Sequence, residues 1–240
     1  MSVVMMRNTA LTLKADSEGK ELLIDHLVMV GRCCYCLAHH LKLSEPTAMF
    51  AGALHDLGKA LSYYQNIGSF AGHEVISAYI THALISDRVI KLRNGDPLHI
   101  IYPILFHHQA HRELPRAVNR LINVRNRLNL NRDANTLVKL LTELSIELRG
   151  YNLYIDVSKA QAAINKALKD IAEEDAKYLT SVLYANYLRD IDVEKLIKSR
   201  IYCGVLMMCD KYISVINRGG AKSSLYFKSV NSFIKYHKII

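Results

Sequence analysis

The chain has 240 residues, half of them hydrophobic, enough for one large domain with a sizeable buried core. Lys and Arg number 31 against 22 Asp and Glu, a formal charge of +9 that draws in polyanions such as nucleic acid or acidic membrane surfaces without naming one. No apolar run approaches the roughly 18 residues of a membrane span. Arg7 follows a short apolar start with no small-residue cleavage site. Cys33, Cys34, Cys36, Cys203 and Cys209 form an odd set without the two paired C-x-x-C steps of a structural zinc module. A soluble cytoplasmic protein with reduced, buried thiols is expected.

From Glu21 to Leu43, apolar residues recur at helical spacing (Leu22, Leu23, Leu27, Val30, Cys34, Leu37, Leu41), which predicts a first long helix carrying His26. Ser44 caps a second helix with Pro46 in its first turn; it runs through His55-Asp56 and stops near Gly58. Ser62 to Ser69 reads as a polar, aromatic-bearing loop. A third helix is expected from Gly72-His73 to Leu84, and Pro97 opens a fourth, Leu98 to His108. Residues 112–132 interleave Arg116, Arg120, Arg125, Arg127 and Arg132 with asparagines and scattered aliphatics, an exposed basic segment. Ala134 to Leu148, Ser158 to Asp170, Glu173 to Leu188 and Val193 to Asn217 are again helical, the last ending before Gly219-Gly220. The tail, 221–240, is basic and reads as an extended edge, a short helix or a loosely held arm. No repeat or linker divides the chain, so residues 1–240 read as a single all-α domain.

His26, His55-Asp56, His73, His107-His108 and Asp210 all lie on or beside apolar helices, a poor place for an unpaired charge. Successive helix residues point about 100° apart, so His55 and Asp56 fan out from one point, and a carboxylate's two oxygens can face two cations. A dipeptide of this kind, met alone, is a buried His-Asp pair satisfying itself or nearby backbone. A helical bundle whose helices each present one or two such groups inward can instead gather six or seven ligands around two divalent ions.

The order H…HD…H…HH…D resembles the HD superfamily, and within it the nuclease branch associated with type I CRISPR systems. His55-Asp56-Leu57-Gly58-Lys59 is similar to that branch's HDxGK, Tyr64-Gln65 to its aromatic-Gln pair, Gly72-His73-Glu74 with Ser77 to its HExxS element, His107-His108 to its double histidine, and Asp210 with Ser214 to its final D-x-x-x-S. The resemblance spans residues 20–216. It implies an HD helical bundle with added peripheral helices and two metal ions, one on His26, His55, Asp56 and Asp210, the other on Asp56, His73, His107 and His108. No glycine follows His108, and the Arg/Asn-rich segment has no family counterpart; these departures bear on loop geometry and substrate choice.

Two such cations polarise a phosphodiester and activate a water, with His55, Asp56 and Asp210 at the catalytic centre. Manganese, magnesium, cobalt, nickel and iron all suit mixed histidine and carboxylate ligands. Lys59, on the face of His55 and Asp56, reads either as a phosphate holder or as a solvated helix-ending lysine. Ser77 and Ser214 read as supports for ligands or as serines bonding their own helix backbone. The arginine segment reads as the wall of a nucleic-acid groove or as a solvated, amphipathic surface helix. Tyr63, Tyr64 and Phe70 could stack on bases or anchor their loop. His39, His40, His82, His99, His111 and His237 read as ordinary histidines. The chain has no phosphate-binding loop for ATP. The resemblance therefore implies a free-standing nuclease subunit cutting DNA, single strands above all, or RNA, beside a separately encoded helicase and an RNA-guided surveillance complex. Two further readings stand beside it: a phosphohydrolase of nucleotides or cyclic nucleotides, and a non-catalytic nucleic-acid-binding subunit.

Overall fold

The computed structural model describes residues 12–92, 95–108, 114–219 and 225–236. Eleven α-helices account for most of them: α1 Leu23–His40, α2 Glu45–Leu54, α3 Ser62–Ile67, α4 His73–Ser86, α5 Leu98–Phe106, α6 Leu114–Arg125, α7 Leu130–Arg149, α8 Val157–Glu173, α9 Ala176–Leu183, α10 Val193–Arg218 and α11 Leu225–Tyr236. Among the described residues, extended backbone pairs only in isolated bridges, Lys14 with Leu22 and Ile90 with Ile155. The all-α expectation holds, and no helix among the described residues is long and apolar enough to cross a membrane.

The central element is α1, which is buried on two sides, as a helix apolar around most of its circumference must be. Leu23, Ile24, Leu27 and Val28 join the larger core with Phe50 and Leu54 of α2, Ile76 and Ile80 of α4, Ile100 and Ile104 of α5, and Leu137 and Leu144 of α7. Val30, Cys33, Cys34 and Leu37 join a second core with Tyr202, Leu206, Cys209 and Ile213 of α10 and Phe227, Val230 and Ile234 of α11. Each such Leu or Ile contributes about 1.5–3 kcal/mol by leaving water, so α10 is held against α1 by a core of its own. All five cysteines are free, and four are buried.

The approach of α1 to α2 depends on glycine. A Cβ on Gly52 would lie 2.8 Å from the Cα of Gly31, so only hydrogen at this position lets the two backbones meet.

Three expectations change. Ser62 to Ile67 forms the short helix α3, with Tyr64 buried and Gly68 ending it at φ 64°. The basic segment is not uniformly exposed: α6 buries Ala117, Leu121 and Val124, spaced four and three apart, and Asn129 caps α7 five residues before Ala134. The expected 173–188 helix breaks where Asp175 accepts from the Tyr178 amide at 2.6 Å and starts α9 afresh, which runs into a π-helical turn at Tyr184–Leu188. Of the readings open for the tail, the short helix holds: α11 is placed against α10 through Phe227 stacked on Tyr212 at 5.7 Å.

Candidate metal centre

The His-Asp pair sits at a junction, not inside a helix as expected. The last α2 residue is Leu54; His55 keeps helical angles, and Asp56 departs to φ −112°, ψ 15°, leading into a 3₁₀ turn over Leu57–Ala60. The start of α4 crosses this turn directly. The Ser77 hydroxyl accepts from the Gly58 amide at 2.9 Å, and a Cβ on Gly58 would lie 2.6 Å from the His73 carbonyl oxygen. Glycine here is what lets His73 reach Asp56. His26 is in the first turn of α1, His107 and His108 follow the end of α5, and Asp210 projects from the middle of α10.

All of these residues converge on Asp56. Its Oδ1 is 2.7 Å from His73 Nε2 and 3.9 Å from His107 Nε2, while Oδ2 is 3.4 Å from His26 Nε2 and 3.2 Å from His55 Nε2. Asp210 Oδ1 closes the second group, 3.2 Å from His26 Nε2 and 3.9 Å from His55 Nε2. His108 packs its ring 5.1 Å from His73 and 4.0 Å from His107. Two donor groups result, Asp56 with His73, His107 and His108, and Asp56 with His26 and His55, each with ligand atoms mutually within 4.8 Å. Nε2 of His26, His55, His73 and His107 and both oxygens of Asp56 are buried without an aligned hydrogen bond, Oδ2 having the Lys59 ammonium as an ion-pair partner. Such atoms are costly to bury unless something else binds them.

The far side of each imidazole explains its orientation. Nδ1 donates to the Gly52 carbonyl in His55 at 2.8 Å, to the Ile104 carbonyl in His107 at 2.7 Å, to the Phe70 carbonyl in His73, and to the Glu21 carboxylate in His26 at 3.1 Å. These partners can only accept, so each Nδ1 carries a proton and Nε2 is the nitrogen turned to the cluster, where a cation would take the place of any proton on it, the arrangement of a metal-ligating histidine.

Residues 23–148, more than half the chain, match the HD domain family. The chain belongs to the HD domain family. No curated protein and no solved structure matches it. Membership brings divalent-metal binding and metal-dependent phosphohydrolase chemistry, and the buried, unsatisfied imidazole and carboxylate atoms fit that requirement. The matched range ends 62 residues before Asp210; α10 supplies that carboxylate from outside it.

The electrostatics of the HD centre are uneven. Burial opposes charge on His26, yet its contacts with Asp210, Asp56 and Glu21 prevail and raise it to about 10. Burial also opposes ionisation of Asp56, but the charges of His55, Lys59 and His73 hold it well below the ordinary range; Asp210 is likewise lowered, mainly by His26. On the other side burial, with His108 and His55 adding to it, pushes His107 well down, and burial with the charge of His73 pushes His108 down to about 3.

Lys59 is not a solvated helix end: it is 7% exposed, with Nζ 2.6 Å from Asp56 Oδ2, 3.1 Å from the Ala15 carbonyl and over the Phe70 ring. The Ser214 hydroxyl donates to Asp210 Oδ1 at 3.2 Å, whereas Ser77 supports the turn through Gly58. Of the arginines, Arg125 is half-buried and engaged, its Nε and Nη2 bonded to the Ala172 and Glu173 carbonyls at the end of α8. Arg127 stacks on Tyr63, and Arg120, Arg127 and Arg132 are exposed. Arg116 lies in α6, but its side chain, like His111 and His237, is outside the described residues. Tyr64 is an anchor, buried and donating to the Ala71 carbonyl. His39, His82 and His99 pair with Glu45, Tyr187 and Ser199, away from the centre. Sequence reasoning missed Glu21, which is buried behind His26. Its signal is weak, an acid five residues before a ligand.

Proposed function

We propose that this HD-domain protein is a divalent-metal-dependent nuclease that cuts DNA, single strands first, in CRISPR interference, alongside a separately encoded helicase and an RNA-guided surveillance complex. The observation carrying the hydrolytic part is the convergence of four inward Nε2 atoms on the two oxygens of one buried carboxylate, Asp56. When bound, two cations, of manganese, magnesium, nickel, cobalt or iron, would polarise the phosphodiester and lower the pKa of a coordinated water toward neutrality. The chain's own residues hold the frame. Asp56 presents one oxygen to each donor group, Asp210 is steadied by Ser214, and Lys59 supplies a fixed positive charge beside the reacting phosphate. Arg120, Arg127 and Arg132 then guide the phosphate backbone. Arg120 supports this directly, since its Cβ is near Gly72, the residue preceding His73. The net charge of +9 and the ordered motifs support a polynucleotide substrate.

One observation favours the second reading, a phosphohydrolase of nucleotides or cyclic nucleotides. The ligands are buried except for Asp210, 21% exposed, and the half-buried His108, so the opening is narrow. A panel of single- and double-stranded DNA and RNA, nucleotides and cyclic nucleotides, incubated with each metal, separates the two. The nuclease reading expects oligonucleotide cleavage that chelator stops and that Asp56→Ala lowers about a thousandfold or more, the shared ligand being lost. It also expects Arg120→Ala to reduce the salt dependence of binding by about one phosphate contact. Turnover of nucleotides alone, with no salt-sensitive oligonucleotide binding, would select the second reading.

A further inference from the structure

Three of the four imidazoles orient themselves locally, each through the carbonyl three residues earlier. That is available to His55 and His107 because they follow the ends of α2 and α5, where the last carbonyls have no helical partner. His26 is in the first turn of α1, where carbonyls are already consumed by the helix. It needs an acceptor from elsewhere, and Glu21 provides it.

Glu21 is 5% exposed and fully engaged. Its Oε1 accepts from His26 Nδ1 at 3.1 Å and from Asn217 Nδ2 at 2.6 Å, and its Oε2 accepts from Arg218 Nε at 2.7 Å. Asn217 and Arg218 end α10, the helix that carries Asp210 and Ser214. One carboxylate thus ties the approach to α1 to the end of α10, outside the family-matched range at both ends. Arg218 Nη2 is also 3.5 Å from His26 Nδ1. A guanidinium can only donate. Without the Glu21 carboxylate it would donate to Nδ1, shift the imidazole proton to Nε2 and remove the ligand atom.

We infer that Glu21 is a positioning residue that fixes the tautomer of His26 and, through Asn217 and Arg218, seats the Asp210 helix against it. This rests on the metal-centre reading above. The test is titration of chelator-treated protein with cobalt(II), without substrate, followed by calorimetry and by the visible absorption of the bound ion. Wild type takes up two ions. Glu21→Ala weakens one of them about 10–100-fold and leaves the other unchanged, as loss of a histidine's supporting acceptor does. Adding Arg218→Met to Glu21→Ala recovers most of that loss, because the competing donor is gone; a purely structural clasp would instead lose more in the double variant.

Unchanged cobalt binding in Glu21→Ala, or a further loss in the double variant, overturns the inference while leaving the metal centre standing. Should Glu21→Ala not fold, Glu21→Gln with Arg218→Met decides. It keeps an oxygen for Nδ1, so both ions bind within about threefold of wild type, and a loss beyond about tenfold overturns the inference. Wild-type protein that takes up no cobalt overturns the metal-centre reading itself.

Discussion

The two sides of Asp56 are built from the same ligand types and have opposite character. On the Oδ2 side, His26 lies among Asp56, Asp210 and Glu21, and the acids raise it to about 10. On the Oδ1 side, His73, His107 and His108 crowd one another with Asp56 as the nearest acid; His107 is pushed well down and His108 falls to about 3. One side is an anionic nest that attracts positive charge. The other holds two imidazoles, His107 and His108, that burial keeps from taking up a proton and leaves ready as ligands. The same residue type therefore says little about its role until the neighbours brought by distant helices are counted.

The largest expected break in this comparison comes from Asp210→Asn, which removes an acid from the Oδ2 side alone. On the proposed two-cation nuclease reading, one cation is lost and phosphodiester hydrolysis falls about a hundredfold or more, while His108→Gln, on the half-exposed rim of the other side, costs about tenfold. Metal stoichiometry by mass spectrometry of the native protein, with rates on the same preparations, checks both. Loss of both ions in Asp210→Asn would show that the two sides do not load independently.

Next in size is Gly52→Ala. The added methyl would meet the α1 backbone at Gly31 and part the helices that carry His26 and His55, at a cost of about 1–3 kcal/mol. Gly204→Ala in α10, whose Cβ meets nothing within 4 Å, is neutral or gains up to about 1 kcal/mol of helix propensity. Thermal or urea unfolding of both variants measures the contrast. Equal effects would mean that α1 and α2 are not in the close contact described.

The smallest effect separates the two sides by pH in chelator. His26 is raised, so its stabilisation is complete below its ordinary value of about 6.5 and fades as pH climbs toward about 10. His107 and His108 are lowered, so the unfolded chain takes up their protons first and stability falls as pH drops from about 6.5 toward 3. Melting temperature should peak near neutrality and decline on both sides. Manganese should flatten the alkaline limb, because a cation takes over the role of the proton on His26. A monotonic profile in chelator would contradict the assigned environments.

The ligand order was legible because chemistry-bearing residues at the ends of apolar helices stand out against composition, and Asp210 could be placed though it lies 102 residues beyond His108. Helix existence was legible from periodicity, including the surface-helix reading of α6, where Ala117, Leu121 and Val124 have helical spacing. What could not be read depends on long-range contact. Glu21 meets Asn217 across 196 residues, Lys59 is buried only because Ala15 and Phe70 close over it, and Arg125 looks like its neighbours until the end of α8 claims it. The break after Leu54 is also tertiary, since Gly58 must turn beneath the start of α4.

The most direct measurement is an anomalous difference map from crystals grown with excess manganese. Two peaks are expected, one beside each oxygen of Asp56: the first within coordination distance of His26, His55 and Asp210, the second of His73, His107 and His108. A map with no peak at Asp56, with His107 and His108 turned to solvent and Asp210 far from His26, would contradict the account.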